Sequence, residues 1–210
     1  MSLPNHLVIF MKAPRLGAVK TRLARDVGAV AAWKFYKDTV AALVRRLSRD
    51  PRWRTWIALA PDSAAREPGR WPRDVTLIPQ GRGDLGERMD RALRRPPPGP
   101  AVLIGGDIPD IEPRHVAAAF RALGNGDAVF GPAADGGYWL VGLRRRPRTP
   151  RLFRDVRWSG PHALADTLAD MPQGTRVAAV DTLEDIDGGV SFMRWRSRQA
   201  ALRRNFSPKA

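Results

Sequence analysis

The stretch HLVIFMKAPRLGAVKTRLA, residues 6–24, indicates how the fold begins. Residues 6–11 are mostly apolar, as in a buried strand, and the proline and glycine that follow interrupt the run. Gly17 permits a turn in which backbone amides can approach an anion. A helix that begins near Thr21 would direct its amino end to the same place. The stretch therefore predicts a strand, an anion-binding turn and a helix in succession.

This turn is not a Walker A loop. That loop needs a second glycine next to its lysine, whereas here Gly17 is the only glycine ahead of Lys20 and Thr21. Lys20 and Arg22 nevertheless supply positive charge at the turn, and Lys12 adds a cation at the end of the strand. On these residues alone, an ordinary strand-to-helix turn with solvated cations is the alternative to a phosphate-binding loop.

Strand and helix patterns alternate along the rest of the chain. Short apolar runs typical of buried strands cover 6–11, 55–60, 75–80, 101–106 and 127–133. Helical patterns cover 29–48, 84–95, 112–123 and 190–204. This alternation predicts an α/β fold with a mainly parallel sheet covered on both faces, and a ligand at the carboxyl ends of the strands. The length favours a single domain, 1–210.

Composition excludes several classes of site. The chain has no cysteine, which removes disulfides, thiolate zinc sites and cysteine nucleophiles. The formal charge is +15, but only five of the 36 basic residues are lysine. Because the arginines are scattered, they indicate a compositional bias rather than a nucleic-acid surface. No apolar run has the length of a membrane span and no signal-peptide pattern is present, so we expect a cytoplasmic protein.

The segment IGGDIPDI, residues 104–111, supplies the strongest candidate metal ligand. Asp107 directly follows a strand pattern, where its carboxylate can reach a cation bound to a ligand. With no cysteine and no clustered histidines, any metal must rest on oxygen ligands, which suits Mg²⁺ or Mn²⁺. The alternative is that Asp107 caps the helix starting near Glu112, although Asp110 is better placed for that role.

Two further acidic segments follow. Asp135 precedes a Gly-Gly pair and an apolar strand, so it could serve chemistry or simply form a hairpin turn. The later segment DTLEDIDGG contains Asp185 and Asp187, and by itself could be a solvated loop. The order of the cationic turn, the strand-end aspartate, Asp-Gly-Gly and the late acidic pair is more informative than any one of them.

Six ordered blocks resemble a family of bacterial GT-A-like glycosyltransferases within the nucleotide-diphospho-sugar transferase superfamily. Related folds include the molybdenum cofactor and phospholactate nucleotidyltransferases. The blocks, which span almost the whole chain, are FMKAPRLGAVKTRLA (10–24), GDLGERMDRAL (83–93), IGGDIPDI (104–111), GPAADGGYWLVGL (131–143), LFRDVRWSG (152–160) and DTLEDID (181–187).

The resemblance implies a Rossmann-like α/β/α sandwich with a mostly parallel mixed sheet. It also implies that the cationic turn and the GDLGERM block hold the nucleotide or its phosphates. The candidate nucleotide-binding residues are Lys12, Gly17, Lys20, Thr21, Arg22 and Arg88. For Arg88, a place on a helix surface is the alternative.

The same resemblance assigns roles to the acids. Asp107 would correspond to the metal-binding aspartate of the superfamily, and Asp187 would bring a second carboxylate to the metal from the late acidic segment, where Asp185 is the other candidate. Asp135 would lie toward the acceptor and either act as the base or orient the acceptor. The residues after Asp187 are Gly188-Gly189-Val190, which departs from the threonine usual in the family pattern.

Three functions remain open at this point. The first is metal-dependent glycosyl transfer from a nucleoside-diphosphate sugar to a small-molecule acceptor. The second is nucleotidyl transfer from a nucleoside triphosphate to a phosphorylated small molecule. The third is a module that binds nucleic acid or protein without catalysis. The combined presence of the cationic turn, Asp107 and Asp135 argues against it.

Overall fold

The computed structural model describes residues 3–67, 71–146, 149 and 152–205, with side chains as far as residue 202 in the last helix. One seven-stranded sheet forms the centre of these residues. The strands are β1 (His6–Lys12), β2 (Arg54–Ala60), β3 (Thr76–Pro79), β4 (Ala101–Gly105), β5 (Ala128–Pro132), β6 (Tyr138–Leu143) and β7 (Val177–Ala179). They are ordered β3-β2-β1-β4-β6-β5-β7.

The sheet is mixed and mostly parallel, as predicted. Strand β6 runs antiparallel to its neighbours β4 and β5, whereas the other neighbouring strands are parallel. The Asp-Gly-Gly segment forms the tight connection between β5 and β6, which is the hairpin that its sequence allowed. Because β1 and β4 are adjacent and parallel, the segments that follow them meet at one edge of the sheet.

Helices connect the strands. Along the described residues they are α1 (Thr21–Val27), α2 (Ala29–Ser48), α3 (Leu85–Arg94), α4 (Pro113–Asn125), α5 (Ala163–Ala169) and α6 (Gly189–Asn205), with a 3₁₀ turn at Asp62–Arg66. None of the helices in this part of the chain combines the length and apolarity that crossing a bilayer requires.

Alternate residues of β1 enter two different apolar layers. Leu7 and Ile9 pack with α2 and α4 on one face of the sheet. Val8 points to the other face, where it packs with residues of α3, such as Leu93, and with Phe153. Period-two alternation in a strand with helices on both sides produces this arrangement. The predicted α/β/α sandwich is therefore confirmed.

The predicted strands and helices are all present with small changes at their ends, and α2 has the predicted bounds 29–48. Helix α5 and strand β7 were not predicted, because segments of seven and three residues are too short to show a clear period.

The suggestion that Asp110 caps α4 is wrong. Glu112 occupies the cap, and its side chain and that of His115 form a capping box. The single domain 1–210 extends beyond the described residues and stays a prediction.

Candidate functional site

A buried lysine meets two aspartates at the carboxyl edge of the sheet. The Lys20 ammonium nitrogen lies 2.9 Å from Oδ2 of Asp107 and 2.7 Å from Oδ1 of Asp187. Only 4% of the Lys20 side chain is exposed, against 39% for Asp107 and 45% for Asp187. The three residues that the sequence connected only through family resemblance are thus in direct contact.

Three separate segments bring these side chains together. Lys20 precedes α1 and has a left-handed backbone, with φ of 48°. Asp107 follows β4, and Asp187 lies just ahead of α6. Gly106 allows the segment after β4 to lie against β1, since a β-carbon at this position would stand 2.7 Å from the β-carbon of Met11.

The charges of this cluster are interdependent. Burial disfavours the charged form of Lys20, but Asp107 and Asp187 outweigh it, so the pKa of the ammonium lies above its ordinary value. Burial would raise the pKa of Asp187, yet Lys20 holds it below the ordinary value. Burial and the neighbouring Asp187 raise the pKa of Asp185. Lys20 therefore stabilises a concentration of negative charge that the fold places in a half-buried site.

A cavity of about 330 Å³ adjoins this cluster. The predicted site residues that line it are Lys12, Lys20, Thr21, Arg22, Arg88, Asp107 and Asp187. Most of the residues proposed for nucleotide and metal binding thus surround one space at the edge of the sheet.

Two predicted site residues are not among those that line the cavity. Gly17 lies in the turn between β1 and α1, where its φ of 76° favours glycine, so its contribution is to the course of the loop. Asp135 is exposed, and its Oδ1 accepts a hydrogen bond from the Gly137 nitrogen at 3.0 Å. Ala133, in the same connection, pairs with Leu183, so this connection lies beside the late acidic segment.

Two cavity residues, Tyr36 and Gln80, were missed by the sequence interpretation. The Tyr36 hydroxyl donates to the Lys12 oxygen at 2.9 Å and accepts from the Lys12 nitrogen at 3.1 Å, which fixes the end of β1. Burial raises the pKa of Tyr36 above its ordinary value. The period of α2 identified Tyr36 as a core residue only. Gln80 directly follows β3, so the rule that polar residues at strand ends face a ligand could have found it.

The donor set fits a hard divalent cation that a substrate also helps to hold. Asp107 and Asp187 offer carboxylate oxygens, and Mg²⁺ is often bound by one or two carboxylates together with substrate phosphates. Within the described part of the chain, no group of three or more His, Cys, Asp or Glu side chains is arranged to hold a metal ion. The residues therefore fit an ion shared with a phosphate ligand, and not a site built from protein ligands alone.

Solved structures with this fold include transferases. A "putative nucleotide-diphospho-sugar transferase" from Desulfovibrio desulfuricans G20 is 26% identical, with a TM-score of 0.79 over 97% of this chain and 98% of the other. A nucleotidyl transferase from Methanothermobacter thermautotrophicus is 15% identical, with a TM-score of 0.62 over 93% of this chain and 98% of the other.

The 4-diphosphocytidyl-2C-methyl-D-erythritol synthase from Anaerococcus prevotii DSM 20548 also shares the fold. It is 9% identical, with a TM-score of 0.61 over 94% of this chain and 98% of the other. No curated protein matches the sequence. The similarity confirms the Rossmann-like fold of nucleotide-diphospho-sugar transferases and the resemblance to a bacterial GT-A-like family.

One family model matches residues 43–160, and its description is "Uncharacterized protein conserved in bacteria (DUF2064)". The matched segment contains Arg88, Asp107 and Asp135, whereas Lys20 and Asp187 lie outside it. Since the matched residues make up more than half of this chain, the chain belongs to the DUF2064 family.

Proposed function

We propose that this protein is a divalent-cation-dependent glycosyltransferase that moves a sugar from a nucleoside diphosphate to a small-molecule acceptor. The observation that carries the proposal is the contact of the Lys20 ammonium with both Asp107 and Asp187 beside a cavity lined by Arg22 and Arg88. Positive groups next to paired carboxylates suit a diphosphate and the cation that accompanies it. The similarity to the Desulfovibrio structure supports this substrate class.

The negative charge that develops on the leaving diphosphate would explain why cationic side chains line the cavity. An acceptor hydroxyl oxygen attacks the anomeric carbon of the sugar, and the bond from that carbon to the diphosphate oxygen breaks. The electron pair of that bond leaves with the diphosphate. Lys20, Arg22 and Arg88 would stabilise the added charge, because fixed cations in a partly enclosed cavity act more strongly than they do in water.

The bound cation would supply Lewis-acid stabilisation of the diphosphate oxygens, with Asp107 and Asp187 as its protein ligands. Lys20 would keep Asp187 ionised, since its positive charge holds the pKa of that carboxylate below the ordinary value. The protein thus keeps Asp187 anionic in a half-buried location, where burial alone would favour its protonation.

Asp135 is the proposed base for the acceptor hydroxyl. It lies in the β5–β6 connection, where its hydrogen bond to the Gly137 nitrogen fixes one carboxylate oxygen. A free carboxylate oxygen remains to accept the proton as the acceptor attacks. Gly136, with φ of 87°, permits the tight backbone that presents this carboxylate.

Nucleotidyl transfer is the second candidate. Four cationic side chains line the cavity, namely Lys12, Lys20, Arg22 and Arg88, and this amount of positive charge also suits a triphosphate. In that reaction an acceptor phosphate oxygen attacks the α-phosphorus, the bond to the β-phosphate breaks and pyrophosphate leaves. The shared fold of the Methanothermobacter and Anaerococcus enzymes supports keeping this candidate.

A ligand panel tests the proposal and separates the two reactions. The protein is titrated with UDP-glucose, GDP-mannose, dTDP-glucose, CTP and GTP, each with and without Mn²⁺, and binding is measured by thermal shift and calorimetry. Stabilisation by a diphosphate sugar that needs Mn²⁺ supports glycosyl transfer, and preference for a triphosphate supports nucleotidyl transfer. The absence of any nucleotide response would reject both.

A further inference from the structure

Gln80 is a buried polar residue between the sheet and the cavity. It directly follows β3, and only 2% of its surface is exposed. Its backbone nitrogen donates to the Leu59 oxygen at 3.1 Å, and its backbone oxygen accepts from Nη1 of Arg91 at 2.7 Å. The main chain at Gln80 is therefore fixed on both sides.

The side-chain amide of Gln80 has one satisfactory orientation. Its Nε2 donates to the carbonyl oxygens of Met11 and Ala58, each at 3.0 Å. A carbonyl oxygen only accepts, so the nitrogen must face these two strand residues. The reverse orientation would lose both hydrogen bonds and set the amide oxygen against two carbonyl oxygens, which destabilises a protein interior. The Oε1 atom is consequently directed toward Arg88.

Arg88 is held by that oxygen at the wall of the cavity. Its Nη1 donates to Oε1 of Gln80 at 3.1 Å, and its Nε donates to the Asp84 oxygen at 3.1 Å. The guanidinium also lies 5.9 Å from the ring centroid of Phe10. Both Arg88 and Gln80 line the cavity that contains Lys20. Its other donors have no acceptor among the residues that the structure describes, so they are available to a ligand in that cavity.

We propose that Gln80 is a positioning residue for Arg88, which binds the diphosphate group of the nucleotide. The inference rests on the proposed function, because the orientation of Arg88 matters only if the cavity takes an anionic ligand. Through its amide, Gln80 links the fixed backbone of β1 and β2 to the guanidinium. Arg88 then loses less side-chain freedom when the ligand binds, and this pre-organisation increases affinity. Diphosphate is the chemistry that both candidate reactions share.

A double-mutant cycle with inorganic pyrophosphate tests this role. The wild-type protein, Gln80→Met, Arg88→Met and the double variant are titrated by calorimetry at one salt concentration. Methionine keeps the length of the side chain but offers no amide to Arg88. We expect each single variant to bind pyrophosphate about tenfold more weakly. The double variant should bind no more weakly than Arg88→Met, because Gln80 acts through Arg88.

The outcomes separate this inference from the proposed function. If Gln80→Met weakens binding by the same factor with and without Arg88, or does not weaken it at all, the positioning role is rejected while the proposed function stands. If the wild-type protein binds neither pyrophosphate nor any nucleotide of the panel, the proposed function itself is rejected, and the inference with it.

A control is needed because Gln80→Met also removes two buried hydrogen bonds to strand carbonyls. Thr167→Val removes a buried hydroxyl that donates to the Ala163 oxygen at 2.7 Å on α5. It should lower the Tm without changing the affinity for pyrophosphate. If Gln80→Met does not fold, Gln80→Asn replaces it in the cycle, because the shorter amide cannot reach the strand carbonyls and Arg88 together.

Discussion

The ammonium nitrogen of Lys20 lies 2.7 Å from Oδ1 of Asp187, although 167 positions separate the two residues in the chain. The same ammonium lies 2.9 Å from Oδ2 of Asp107. One buried cation thus joins the segment after β1, the segment after β4 and the segment before α6. Electrostatic attraction therefore holds these three segments together at the candidate site, in addition to packing.

Replacing Lys20 by methionine should have opposite effects on two ligands. Without the ammonium, the carboxylates of Asp107 and Asp187 lose an internal competitor, so Mn²⁺ alone should bind at least about tenfold more tightly. Pyrophosphate should bind more weakly, because a cation that would contact it is lost. Calorimetry with each ligand separately measures both effects. Lys34→Met, which removes an exposed lysine, is the control; equal Mn²⁺ affinity in Lys20→Met and Lys34→Met would contradict this prediction.

Replacing Asp107 by asparagine should remove the dependence of nucleotide binding on Mn²⁺. The amide keeps the shape of the side chain but loses the charge that attracts a divalent cation. We therefore expect the apparent affinity for nucleotide in the presence of Mn²⁺ to fall by about tenfold or more. Thermal stability without ligands should fall moderately, because the buried Lys20 ammonium loses one of its two carboxylates but keeps Asp187. The matched control is Asp110→Asn in the same loop. Mn²⁺-dependent binding that persists in Asp107→Asn would remove Asp107 from the metal site.

The sequence predicts the parts of this site that depend on local pattern. Asp107 could be placed at the sheet edge because it directly follows an apolar strand run, and Lys20 because it lies between a strand and a helix pattern. The contact between Lys20 and Asp187 depends on tertiary packing, which no local period encodes. The role of Gln80 depends on carbonyl oxygens of two neighbouring strands, so it follows only from the strand order and register.

Replacing Asp135 by asparagine should lower turnover while leaving nucleotide affinity nearly unchanged. The residue lies in the β5–β6 connection and is absent from the cavity wall around Lys20, so its loss should affect the acceptor step alone. A positioned general base contributes roughly 100-fold or more to rate, and a decrease of about this size in kcat is expected once an acceptor is identified. Asparagine can still accept the hydrogen bond from Gly137, which preserves the turn. An unchanged kcat would show that Asp135 is not the base and serves only to form the turn.

His6 should make the protein less stable in mild acid. The side chain is fully buried in β1, and its Nδ1 accepts a hydrogen bond from Nε1 of Trp56 at 3.2 Å. Burial, with the nearby cations Arg145 and Arg54, lowers the pKa of His6 to about 4. Since the folded protein favours neutral histidine, the stabilising contribution is complete above the unfolded pKa of about 6.5 and is lost as the pH falls toward 4.

The expected loss from this one residue is on the order of 3 kcal/mol across that interval. Urea unfolding at several pH values between 4 and 7 measures it, with His6→Gln as the comparison. Glutamine has no titrating group, so the difference in unfolding free energy between wild type and variant should shrink as the pH falls, whereas acid titration of the carboxylates affects both proteins alike. A difference that stays constant across the interval would show that His6 does not titrate as its burial requires.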